Sequence, residues 1–178
     1  MVSVKHCGHV TARLNTLCLG AGLLCAGLGA DAGTTESTLM VSATVAATCT
    51  VSSNPLTFGT YTPGGGNLNA NTTLAVRCSH GAPFTVAMDA GTGGGSLLQR
   101  FLTSGAARLQ YNLYTSAART TVWGDGSVNS AVVTGTGKGL SGSETITETV
   151  YGQLPDTLAN QQLAPGLYTD TIRITVSY

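Results

Sequence analysis

The C-terminal stretch constrains the fold more than any other part of the chain. Ile172, Ile174, Val176 and Tyr178 alternate with Thr171, Arg173, Thr175 and Ser177. A period of two sends successive side chains to opposite faces, so this segment is a strand with one apolar face. A helix would scatter the same residues around its circumference. The alternation recurs upstream. Leu39, Val41, Ala43 and Val45 alternate with Met40, Ser42 and Thr44, and Cys49 and Val51 begin a shorter run. Leu74, Val76 and Cys78 share one face, as do Phe84, Val86 and Met88, and Leu109, Tyr111 and Leu113. A less regular run covers residues 145–151. All of these read as half-buried strands. Turn-rich segments such as 63–67 (Pro-Gly-Gly-Gly-Asn) and 91–95 (Gly-Thr-Gly-Gly-Gly) separate them. Many short strands with such punctuation make an all-β chain, either a sandwich or a barrel. There is no internal repeat and no domain linker.

Charge removes some functions. Eight Lys and Arg balance eight Asp and Glu, and none of the basic residues cluster. Nucleic-acid binding needs clustered cations to neutralise phosphates and is excluded. Low charge here does not mean disorder, because 42% of the residues are hydrophobic. A length of 178 residues fits one domain, or one domain with a leader.

The N-terminus reads as that leader. Lys5 and Arg13 precede a mostly apolar run at 14–28, and Ala30-Asp31-Ala32 supplies small residues at both positions a signal peptidase reads. The expectation is a signal peptide over 1–32, cleaved on export. The alternative, a membrane anchor, needs about 20 apolar residues. A lipid anchor on Cys18 or Cys25 is set aside, because Asn15 and Gly22 occupy the position where such signals carry Leu. Cleavage removes Cys7, Cys18 and Cys25 and leaves Cys49 and Cys78. Two cysteines in an exported chain read as one disulfide, with two buried free thiols as the alternative. A closed loop of about 30 residues is worth roughly 3–4 kcal/mol.

Catalysis finds no support. Residues 135–139 (Gly-Thr-Gly-Lys-Gly) hint at a phosphate loop, but Val132 and Gly139 stand where the motif requires Gly and Ser or Thr. The three Gly-rich segments are therefore read as loops. His80 is the one histidine beyond the leader and sits in a turn-like Ser-His-Gly. No nucleophile motif accompanies it, and a zinc site needs more ligands. Asp89, Asp125, Asp156 and Asp170 are scattered, three of them in turn-like contexts. The chain is expected to be no enzyme and to hold no cofactor or metal.

The two ends carry the functional argument. About six core strands follow the N-terminal run, and an immunoglobulin-type sandwich has about seven. A missing strand would leave an apolar groove and unpaired backbone beside the last one, and such edges recruit another strand. The run at 39–45 either folds back onto its own sheet or fills the groove of a neighbouring subunit.

The chain here resembles the spore coat protein U family. The resemblance rests on Thr48-Cys49-Thr50-Val51 after the alternating run, on Cys78 within 74–78 (Leu-Ala-Val-Arg-Cys), and on 111–114 (Tyr-Asn-Leu-Tyr) with the following 115–120. It also rests on 151–155 (Tyr-Gly-Gln-Leu-Pro), on 164–172 (Ala-Pro-Gly-Leu-Tyr-Thr-Asp-Thr-Ile) and on the terminal 174–178. The order and spacing of these segments cover nearly all of the mature chain. That family includes the Csu-type, or archaic, chaperone–usher pilins.

The resemblance implies an incomplete immunoglobulin-like β-sandwich lacking its last strand, completed by a donor strand. A periplasmic chaperone would lend one, and at an outer-membrane usher the next subunit would replace it, as in known chaperone–pilin complementation. Residues 33–47 would be the donor-strand extension and 48–178 the pilin domain. Leu39, Val41, Ala43 and Val45 would be the donor side chains. Ile172, Ile174, Val176 and Tyr178 would lie on the acceptor strand. The implied role is a head-to-tail polymer on the cell surface, serving attachment or biofilm, with no membrane span after cleavage. A single domain points to a shaft or minor subunit. The other expectations are a self-associating spore or cell coat protein, or a secreted binding module.

Overall fold

The structure, a computed structural model, describes residues 33–127 and 129–178. The expected leader at 1–32, with Cys7, Cys18 and Cys25, lies outside the described residues. The chain divides into two units, Met1–Ser42 and Ala43–Tyr178. In the first, residues 33–42 form no regular secondary structure.

The second unit holds ten strands among the described residues. They are β1 (Cys49–Ser53), β2 (Leu68–Cys78), β3 (Pro83–Met88), β4 (Arg100–Ser104), β5 (Ala107–Tyr114), β6 (Val122–Trp123), β7 (Ser130–Ala131), β8 (Val133–Thr136), β9 (Ile146–Leu154) and β10 (Ile174–Ser177). A single-turn helix α1 (Leu158–Gln161) follows β9, with the Thr157 side chain accepting from the Asn160 amide at its start. The larger sheet runs β1-β2-β9-β5-β6-β7, with β4 paired onto β5, and the smaller runs β10-β3-β8.

The two sheets form an immunoglobulin-like sandwich, and the alternating faces identified above are its filling. Leu74, Val76 and Cys78 of β2, Phe84, Val86 and Met88 of β3, and Leu109, Tyr111 and Leu113 of β5 are all buried. Trp123 is fully buried, and its indole N–H donates to the Val86 carbonyl at 3.0 Å, tying the larger sheet to the smaller. The core strands expected from alternation, β1, β2, β3, β5, β9 and β10, are all present.

Two expectations change. Residues 135–139 do not form only a loop, because Gly135 and Thr136 belong to β8 and pair with Phe84 and Pro83. A Cβ at Gly135 would sit 2.5 Å from the Phe84 ring, so the glycine makes room for a core aromatic. The run at 39–45 is not a half-buried strand. It pairs with no strand of the described residues, and Leu39, Val41, Ala43 and Val45 are all exposed.

Candidate functional site

The backbone of β10 has one open side. The Asp89 amide donates to the Arg173 carbonyl at 3.1 Å, and the Arg173 amide donates to Asp89 Oδ1 at 2.9 Å. Arg173, Thr175 and Ser177 therefore turn their backbone groups toward β3, in the register that pairs Thr175 with Ala87. By the alternation of an antiparallel pair, Ile172, Ile174 and Val176 turn theirs to the opposite edge. No strand among the described residues pairs there. The side chains of these three residues are half-buried and share the inner face. At the edge of the larger sheet, β1 has β2 as its one strand partner.

A cavity of about 330 Å³ opens beside β10. Leu56 and Phe58, from the segment after β1, line it together with Ile172 and Ile174. Its floor is core: Leu74, Met88, Leu113 and Val150. Ser53, Asn54, Asp170 and Thr171 supply a polar rim. Protein interiors are normally close-packed, so core side chains facing an unfilled space forgo dispersion contacts. An apolar side chain presented by an added strand would recover them.

The sequence-derived acceptor residues divide between two places. Ile172 and Ile174 line the cavity, and Val176 packs against the core. Tyr178 does not join them. It is 61% exposed and lines a shallow depression with Phe84, Gly135 and Ser177. β10 ends at Ser177, so Tyr178 lies beyond the pairing that holds Ile174 and Val176 in place. In the N-terminal segment, Leu39, Val41 and Val45 are 87%, 85% and 93% exposed. Such large apolar groups left in water are unusual in a settled chain.

Cys49 and Cys78 form a disulfide, as expected. They stand directly opposite each other across β1 and β2, with Cα atoms 4.1 Å apart. The bond fixes β1, an edge strand, to its neighbour β2.

His80 is a turn residue. It is exposed, its Nδ1 lies 3.2 Å from the Lys138 carbonyl, and Gly81 beside it has φ +77°. The scattered aspartates hold loops. Asp156 accepts from the Gly64 and Gly66 amides at 3.1 and 2.8 Å and from the Tyr61 hydroxyl. The Tyr61 bond, followed by the Gly66 amide, holds the Asp156 carboxyl down at about 2. Burial and the same carboxylate push Tyr61 up to about 12. Asp125 accepts from the Ser127 amide at 2.8 Å within its own turn. Among the described residues, no group of three His, Cys, Asp or Glu is placed to hold a metal.

Sequence reasoning misses two polar residues, Arg100 and Asn160, and sees a third, Asp170, only as a scattered aspartate. Arg100 is fully buried, yet its guanidinium bonds only to neutral oxygens: Asp89 O, Leu97 O, Trp123 O and Asn112 Oδ1. Burial lowers its pKa, and nearby Tyr111 and Asp89 oppose that shift. Asp170 accepts from the Tyr111 hydroxyl at 2.7 Å, and burial followed by this bond raises the Tyr111 pKa. Asn160 bonds the Gln110 amide and carbonyl through its side chain, standing in for a strand along the edge of β5. A long-range spacing carries no local pattern, so none of these had a signal beyond residue type.

Comparison with known proteins gives two matches of different kinds. Residues 35–175 match the family model described as the Spore Coat Protein U domain. No curated protein matches the chain. Among solved structures, the chain is similar to the CsuC–CsuE chaperone–tip adhesion subunit pre-assembly complex from archaic chaperone–usher Csu pili of Acinetobacter baumannii. The TM-score is 0.52 at 20% identity, covering 76% of this chain and 40% of that one. The chain thus spans less than half the length of the chain it matches, and the likeness is one of fold. No helix among the described residues is long and apolar enough to cross a membrane.

Proposed function

The chain belongs to the Spore Coat Protein U domain family, and on that premise we propose that it is a structural subunit of a chaperone–usher pilus. The family is structural, and the chain is not an enzyme. The subunit polymerises by donor-strand exchange, for surface attachment or biofilm. It is exported through the periplasm, held by a periplasmic chaperone, and handed to an outer-membrane usher.

One observation carries this reading. The sandwich has an open, apolar-floored edge at β10, and the same chain carries an alternating apolar run at 39–45 that is exposed and unpaired among the described residues. Leu39, Val41, Ala43 and Val45 are assigned as donors, with 33–47 as the extension, and Ile172, Ile174 and Val176 as acceptors. Tyr178, past the end of β10 beside Phe84 and Gly135, is assigned to the far end of the acceptor strand. A donor at one end and a groove at the other make a contact that does not close on itself, so it builds a filament. Fully burying a Val or Leu is worth about 1.5–3 kcal/mol, so the four donors supply a gross gain on the order of 5–10 kcal/mol before ordering costs.

Native size analysis with and without residues 34–45 tests this. Polymers that grow with concentration and vanish on deletion are the expected result. A stable monomer in both cases would mean that the sandwich completes itself and would end the donor-strand reading.

A further inference from the structure

Between the two sheets, at the head of β10, the chain crosses over through residues 169–173. The crossover has little strand pairing of its own. Thr169 exchanges backbone hydrogen bonds with Thr103 of β4 at 2.8 and 3.0 Å, which fixes it to the larger sheet. From there to Ile174, beside the Asp89 amide's bond to the Arg173 carbonyl, side-chain carboxylates do the holding. Asp170 Oδ1 accepts from the Thr92 amide and hydroxyl, the Gly93 amide and its neighbour's Thr171 amide, at 2.7, 2.9, 3.0 and 2.7 Å. Its Oδ2 accepts from Tyr111 of β5. Asp89, just past β3, accepts from the Gly91 and Arg173 amides, both at 2.9 Å. The Asp89 carbonyl is in turn gripped by Nε and Nη2 of buried Arg100, at 2.9 and 2.7 Å.

The Gly-rich loop after β3 is built for this approach. Gly91 has φ +79°, and a Cβ there would lie 2.1 Å from the Asp170 carboxylate. Only glycine adopts that backbone while letting the carboxylate come so close. The loop and the two aspartates form a polar strap. It fixes Thr171 and Ile172, at the rim and wall of the cavity, before any strand has been added.

We infer that Asp89 and Asp170 are positioning residues for the acceptor strand: they pre-set the head of β10 so that an incoming strand meets a formed edge. The inference deepens the donor-strand reading and rests on it. Preorganisation raises affinity by removing an ordering cost that binding would otherwise meet.

The test uses the full-length mature chain, kept dilute, and a labelled synthetic peptide of residues 34–46 as the added strand. Peptide capture and backbone amide exchange are read together. Asp89→Ala removes the acceptor for the Arg173 amide, and Asp89 is exposed, so the core is untouched. Protection of the Arg173 amide should fall, and the peptide dissociation constant should rise, each about tenfold, the effect of one charge-assisted hydrogen bond. Asp89→Asn keeps an Oδ1 acceptor and should stay within about twofold of wild type. Gly91→Ala, whose added Cβ displaces the Asp170 carboxylate, should weaken peptide capture to a similar degree, with protection lost at the Thr92 and Gly93 amides that Asp170 holds. Amides of Leu74 and Val150 should be unchanged throughout, and their loss in Asp89→Ala would count against a local strap. A wild-type chain that takes up the peptide beside variants that take it up equally well overturns this inference alone. A wild-type chain that takes up none overturns the groove reading, and this inference with it.

Discussion

Replacing Val41 with Asp separates assembly from folding. Val41 is 85% exposed in the free chain, so the change should cost the sandwich itself no more than about 0.5 kcal/mol, as at other surface sites. Inserted beside Ile172 and Ile174, the same residue meets an apolar floor of Leu74, Met88 and Val150. The lost valine burial amounts to about 2 kcal/mol. A buried carboxylate adds a penalty limited by protonation, which at pH 7 costs about 4 kcal/mol for an ordinary aspartate. The sum, about 6 kcal/mol, is roughly four decades in affinity.

The same arithmetic fixes a pH signature. As pH falls to about 4 the aspartate protonates in solution, so the charge part of the penalty disappears while the valine part stays. Light scattering should find no polymers of Val41→Asp at pH 7 and partial recovery near pH 4. The thermal midpoint of the monomer should match wild type at both. Normal polymers at pH 7 would refute the donor assignment. A lowered monomer midpoint would refute it differently, by putting Val41 in contact with its own sandwich.

Ile174→Asp places a charge on the wall of the cavity and against the core, so soluble yield and uptake of the 34–46 peptide should fail together. A soluble variant that still takes up the peptide would remove Ile174 from the acceptor edge. Cys49→Ser opens a 29-residue separation and should cost roughly 3–4 kcal/mol, read as a lowered denaturation midpoint. Labelling of both thiols in the native protein would contradict the bond. The Asp156 clamp on residues 64–66 should be at full strength above its ordinary 3.8 and fade as pH falls through about 2, because the folded carboxyl is held low. Tyr61 mirrors it: its contribution is complete below 10.0 and is lost as pH rises through about 12. Exchange of the Gly64 and Gly66 amides across pH reads both limbs, and loss of their protection already at pH 5 would break the assignment.

Much of the sandwich was legible because strand formation and burial are periodic. Leu74, Val76 and Cys78, or Phe84, Val86 and Met88, announce their inward face through spacing alone, and the structure buries all six. The misses have local causes. β6 and β7 are two residues each, too short to show a period. β4 opens on Arg100, a charged residue in a core position, and β8 contains Gly135, which in sequence marks a turn. The run at 39–45 has a strand's pattern but pairs with no strand among the described residues, since a period reports which face is apolar and not what covers it.

The amino-acid order by itself therefore determined the all-β class, the inward faces, and the expectation that Cys49 pairs with Cys78. Each depends on residues within a few positions of one another or on a count. Only the tertiary structure decided which strand edges stay open and which polar groups hold them. Asp170 reaches Thr92 across 78 positions, Asp89 reaches Arg173 across 84, and Asp156 reaches Gly66 across 90. Residues so far apart meet only after the chain has crossed between sheets. Their partners are mostly backbone amides, which every residue but proline carries and which leave no trace in a sequence.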